Sequence, residues 1–114
     1  MKRISALILA FCLVAPTAAL AASAEHGKIA FIQHGCWQCH GTLGQGSVAT
    51  SGGKRIAPDP LPWDIFNSFV RSTNRAMPPY REAILSDADL GDIYAYLQSI
   101  PKPPSPDSIP LLKP

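Results

Sequence analysis

The feature that most constrains this chain is the pentapeptide Cys36-Trp37-Gln38-Cys39-His40. Two thiols three positions apart, followed at once by an imidazole, leave few chemistries open. A disulfide-exchange C-x-x-C would sit among alternating strands and helices, and the sequence shows no alternating strand pattern. A structural zinc site takes four ligands. Cys36, Cys39 and His40 are three, and there is no second C-x-x-C and no paired histidine motif. A plain disulfide between Cys36 and Cys39 is compatible with an exported chain.

The reading that uses every residue of the motif is covalent attachment of a c-type haem. The two thiols add across the two vinyl groups on one edge of a porphyrin. His40, next in the chain, then lies under the ring with its imidazole toward the iron. The rest of the composition agrees with such a need. Five of the eight glycines lie between Gly41 and Gly53, in a segment that offers little side-chain surface. Small domains of this kind often need a cofactor, metal or disulfide to complete a core.

Export is read from the first twenty-four residues. Lys2 and Arg3 form a positive start, and Ile4 to Ala15 is apolar except for Ser5. Pro16 follows, and Ala22-Ser23-Ala24 matches an A-x-A cleavage site, the pattern of a secretory signal peptide. Residues 1–24 are expected to be removed, with a cut after Ala21 as the alternative. An uncleaved anchor is the competing reading, but the stretch is short beside the roughly 20 apolar residues a spanning helix needs. Cleavage takes Cys12 with it and leaves Cys36 and Cys39 as the only cysteines. Met77 becomes the only methionine, and the formal charge falls from +2 to zero. Nothing in so balanced a chain suggests a nucleic-acid partner.

The 114 residues suffice for one domain. Periodicity predicts an all-α fold of three short helices separated by loops. The first runs from Glu25 to His34, with Ile29, Phe31 and Ile32 as its apolar side and Gly35 as its stop. The second runs from Pro62 to Ser72 with Ile65, Phe66, Phe69 and Val70 at helical spacing. In the third, Ser86-Asp87-Ala88-Asp89 resembles a capping box. Leu90, Ile93, Tyr94, Leu97 and Ile100 then make one stripe before Pro101 ends the helix. The working domain is expected over residues 25–100. A tail is expected over 101–114, where six of the twelve prolines gather; Pro101 to Pro106 reads as extended polyproline II, with Ile109, Leu111 and Leu112 available to pin the tail and a flexible linker end as the alternative.

A second iron ligand is expected from Met77 in Arg75-Ala76-Met77-Pro78-Pro79-Tyr80. Two prolines stiffen the backbone just past it, and His/Met is one of the standard ligand sets of this cofactor. The alternative role for a lone methionine is core filling. His34 is only six residues before His40, on the attachment side, and His26 belongs to the first helix; both are expected as surface or capping residues.

From Glu25 to Ile100 the chain resembles the class I c-type cytochromes, small monohaem proteins of the bacterial periplasm. Gly27, Phe31, Cys36-x-x-Cys39-His40, Met77-Pro78 and Asp92-Ile93-Tyr94-Ala95-Tyr96-Leu97 stand in that family's order. The resemblance implies a cytochrome c fold of three to four short helices and loops around one haem c. Gly27 and Phe31 would meet Ile93, Tyr96 and Leu97 at a helix crossing. Ile56 would lie against the haem, and Trp63 is a candidate for either a propionate or the core. Lys54 stands where the family often has a proline whose carbonyl accepts from the haem histidine, so a carbonyl within Lys54 to Pro58 is expected in that role.

The function implied is one-electron transfer, without enzymatic activity or a small-molecule substrate, between periplasmic or membrane redox proteins. One alternative is a haem subunit of a dehydrogenase or oxidase complex. Another is a haem enzyme or sensor with a displaceable Met77. Lys54, Arg55, Arg71, Arg75 and Arg81 in the central loops, opposed to Asp87, Asp89 and Asp92, suggest a dipolar docking surface.

Overall fold

The computed structural model describes residues 21–47 and 53–113. The expected leader lies almost wholly outside the described residues. Four helices follow in order: α1 (Ala24–Gln33), a single turn α2 (Trp37–His40), α3 (Trp63–Ser72) and α4 (Asp87–Ser99). Among the described residues there is no strand, and no helix is long and apolar enough to cross a membrane.

The architecture is built on the crossing of α1 over α4. α1 buries Gly27, Ala30 and Phe31, at i, i+3 and i+4. A Cβ on Gly27 would stand 1.8 Å from the Asp92 carbonyl oxygen, so only a residue without a side chain lets the two backbones approach. Phe31 is fully buried, with its ring 5.7 Å from that of Tyr96. Leu90, Ile93 and Leu97 of the predicted stripe are buried on α4 together with Tyr96, while Tyr94 and Ile100 are only partly buried. The expectation for α1 needs correction. Ile29 and Ile32 are 53% and 40% exposed, because they point away from Phe31 around the helix and the contact face is set by the small residues instead.

α3 packs by the stripe Trp63, Phe66 and Val70. The Trp63 and Phe66 rings lie 5.3 and 5.1 Å from Tyr94, which places Trp63 in the apolar packing. Ile65 and Phe69, expected on the same stripe, form a second row that stays exposed. α3 starts one residue later than expected, with Pro62 as its N-cap.

The helix ends are closed by local chemistry. Ser86 caps α4, its hydroxyl accepting from the Asp89 N–H at 3.1 Å and donating to the Asp89 carboxylate at 2.8 Å. Gly35, at φ +75°, ends α1 in the left-handed conformation that glycine adopts freely. Ser23 caps α1 through its side chain, and its own N–H donates to Asp92 Oδ1 at 2.6 Å. Ser23 thus takes part in the α1 cap and in the contact with α4. In the tail, residues 101–105 form no helix or strand, and two 3₁₀ turns follow, Pro106–Ser108 and Pro110–Leu112. Leu111 and Leu112 are exposed and pin nothing; only Ile109 is half-buried.

Asp92 joins the start of α1 to α4. It accepts from Ser23 N and from His26 Nδ1, which lies 2.6 Å from Oδ2. The Ser23 N–H first, and His26 second, hold its carboxyl below the usual aspartate range. A depressed folded-state value gives stability that is complete above the ordinary value of 3.8 and disappears as pH falls through the folded one. Asp92→Asn is therefore expected to lower the urea midpoint at neutral pH and to matter progressively less as pH falls below 3.8, read by circular dichroism.

Candidate functional site

The attachment motif forms directly off the end of α1. The Cys36 N–H donates to the Phe31 carbonyl at 3.2 Å, and the His40 N–H to the Cys36 carbonyl at 3.0 Å. Cys36, Cys39 and His40 thus share one tight turn, α2, which Gly41 ends at φ +74°. The thiols are not joined to each other. Burial pushes the Cys36 thiol up to about 11.

The glycine-rich segment folds back over this turn. The Gly46 N–H donates to the His40 carbonyl at 2.8 Å, and the Gly44 carbonyl accepts from Ile56 and Ala57. Gly53 lies so close to α2 that a Cβ there would fall 1.6 Å from the Cys39 carbonyl oxygen. That approach delivers the next residue to the histidine, and His40 Nδ1 lies 2.8 Å from the Lys54 carbonyl oxygen. A carbonyl only accepts, so Nδ1 carries the proton and Nε2 keeps its lone pair. The expectation of an acceptor between Lys54 and Pro58 is met by Lys54 itself.

Met77 lies on the loop between α3 and α4, half-buried against the same apolar cluster as Cys36 and Ile56. Tyr80 ties this loop to the attachment side. Its hydroxyl donates to the His34 carbonyl at 2.8 Å, and its ring meets His34 edge-on. Burial first, then the nearby Cys36 and Cys39 sulfurs, push the Tyr80 phenol up, so it remains a donor. Neither Tyr80 nor Arg71 stood out in the sequence as part of the site. Arg71 was expected on a charged docking surface. Instead its guanidinium is largely covered and bonded to the Tyr80 and Leu85 carbonyls and to Asp87. The acceptors are two backbone oxygens, which residue type does not reveal.

His26 and His34 serve the helix ends, as expected. His26, Asp89 and Asp92 lie close enough to resemble a metal site, but their short contacts are those of the α1–α4 junction and the α4 cap. A surface groove along α3, lined by Asp64, Ile65, Phe69, Thr73 and Arg75 among others, includes none of Cys36, Cys39, His40 or Met77. Trp37 is 41% exposed beside the motif.

These residues fit a haem iron. Cys36 and Cys39 are unpaired thiols on one turn that could form two thioethers, and the Lys54 contact leaves His40 Nε2 free to hold a metal. Met77 supplies a thioether in an apolar setting. Gly53→Ala is expected to push the loop off α2 and withdraw the Lys54 carbonyl. The cost is about 1–3 kcal/mol, as for overpacking elsewhere, with a lower yield of covalent haem, read from haem absorbance against total protein.

Comparison with known proteins returns a family described as cytochrome C oxidase, cbb3-type, subunit III, whose model matches residues 22–97. No curated protein and no solved structure matches the chain.

Proposed function

The chain belongs to the cytochrome c domain family of cbb3-type oxidase subunit III, and on that footing we propose that Cys36 and Cys39 hold its haem c as thioethers while His40 and Met77 ligate the iron. The fold is that of a cytochrome c, the cofactor is covalently bound haem c, and the activity is haem-based electron transfer with redox proteins as partners. Bound there, the haem supplies one-electron exchange between the ferric and ferrous states.

The observation that carries the residue assignment is the 2.8 Å bond from His40 Nδ1 to the Lys54 carbonyl. It selects the tautomer with Nε2 free, orients the ring and raises its basicity as a ligand. Met77 contributes a soft sulfur that favours the reduced state relative to a second histidine. The apolar neighbours of Cys36, Ile56 and Met77 limit water at the site and act in the same direction. If His40 and Met77 both hold the iron, no position would remain on it for a substrate, which is the ground for reading the protein as a carrier. Trp37 and Gln38, between the two cysteines, lie where the porphyrin edge would approach the surface, and a partner would dock there.

The site of action is the periplasm or another extracytoplasmic compartment, reached through removal of the leader. Cleavage after Ala21 leaves Ser23 in place to cap α1 and reach Asp92, whereas cleavage after Ala24 removes it. The exported protein is expected to begin at Ala22, which intact mass determines; a start at Glu25 would reject that boundary.

Oxidised and reduced visible spectra test the ligands. The expected result is a low-spin c-type spectrum, a weak far-red sulfur-to-iron band when oxidised, and no response to carbon monoxide. Met77→Ala is expected to lose the band and to bind carbon monoxide when reduced. A high-spin wild-type protein that binds carbon monoxide readily would move a catalytic or sensing role to first place. The family's description as an oxidase subunit favours a second reading, in which the chain is the haem-carrying member of a larger complex. Co-purification with a membrane enzyme would distinguish it from a free shuttle.

A further inference from the structure

The segment carrying Met77 has no regular structure from Thr73 to Ser86. Pro78 and Pro79, directly after Met77, have no N–H to give. Something outside the loop must therefore set its position. Tyr80, three residues past Met77, is held at both of its backbone groups by consecutive residues of α3. Its N–H donates to the Val70 carbonyl at 2.9 Å, and its carbonyl accepts from Arg71 Nη1 at 3.0 Å. The same Arg71 Nη1 donates to the Leu85 carbonyl at 2.6 Å, where the loop ends. Arg71 Nη2 donates to Asp87 Oδ1 at 2.5 Å, in the first turn of α4. One guanidinium thus joins α3, the middle of the loop, its far end and α4. The side chain is 19% exposed, so its charge is largely removed from the docking surface.

We propose that Arg71 is the positioning residue for the axial sulfur. It holds the Met77 loop closed, and its loss lets Met77 leave the iron. This rests on the reading of Met77 as a ligand. The chemistry asks for arginine in particular. A planar, permanently charged fork reaches separate acceptors at fixed angles, whereas an ammonium is a point donor on a flexible stem. Asp87 orients the fork and balances its charge. Val70 and the Tyr80 hydroxyl hold the loop independently of Arg71, so the loop should loosen on Arg71 substitution rather than unfold.

The test uses the full haem-loaded protein and two signals that report the Met77–iron bond. These are the far-red band of the oxidised form and the rate of carbon monoxide combination with the reduced form. In Arg71→Met the band is expected to weaken and carbon monoxide to combine about tenfold faster or more, the factor for losing one charge-assisted hydrogen bond to the loop. Arg71→Lys is expected to fall between this variant and wild type, and Asp87→Asn to shift both signals the same way by less.

A merely structural arginine would lower the urea midpoint and leave the band and the carbon monoxide rate at wild-type values. That result in Arg71→Met overturns the proposal. Should Arg71→Met fail to fold, Arg71→Lys and Asp87→Asn decide it, and unchanged signals in both overturn it. A wild-type protein without the far-red band would instead remove the Met77 assignment itself, and this inference with it.

Discussion

The close passage of α1 over α4 at Gly27 is the constraint on which the other features depend. With no Cβ at Gly27, the α1 backbone rests against the Asp92 carbonyl, and Phe31 enters the core beside Tyr96. The rest follows by direct connection. Phe31 accepts the first hydrogen bond of the attachment turn through its carbonyl, from Cys36, so the depth of the crossing sets where Cys36, Cys39 and His40 stand. Tyr96 donates to the Thr42 carbonyl at 2.8 Å, which anchors the start of the glycine loop to α4. Ser23, His26 and Asp92 close the crossing from outside. The turn of Cys36, Cys39 and His40 is an extension of a helix–helix contact rather than a separate unit.

Around that turn the site is assembled almost wholly by backbone groups. The carbonyl of Lys54 orients His40, the carbonyl of His34 receives Tyr80, and the carbonyls of Tyr80 and Leu85 receive Arg71. The glycines permit this. Gly53 brings one chain segment against Cys39, and Gly41, Gly44 and Gly46, all at positive φ, reverse the loop within a few residues. A small domain with few apolar side chains to spare fixes its ligands by placing main chain against main chain, and reserves Phe31, Leu85, Leu90 and Leu97 for the core.

Most of the fold was legible in the sequence because helices announce themselves through spacing and caps. The α4 stripe, its Ser86 cap and the Gly35 stop all correspond to local rules. The face of α1 was misread because Ile29 and Ile32 outweigh Gly27 and Ala30 in any hydrophobic count, while a close crossing selects the small residues. The motif residues were legible in their spacing, and the pairing of Gly27 and Phe31 with α4 through resemblance. Arg71 and Tyr80 were not. Their partners are carbonyl oxygens 9 to 46 positions away, and every residue type carries a carbonyl. The two exposed leucines of the tail show the same limit: apolar identity says nothing of whether a surface is within reach.

The Lys54 contact has a consequence for how the protein can vary. The group that orients His40 is a main-chain oxygen, so no exchange of the Lys54 side chain can delete it. A side-chain acceptor in this role would be lost to a single substitution. Here the acceptor persists through any substitution at position 54 that keeps the path of the chain, and the vulnerable position moves one residue back, to Gly53. The lysine is thereby released from the chemistry of the iron. Its charge can be altered without altering the His40 tautomer on which the proposed ligation depends.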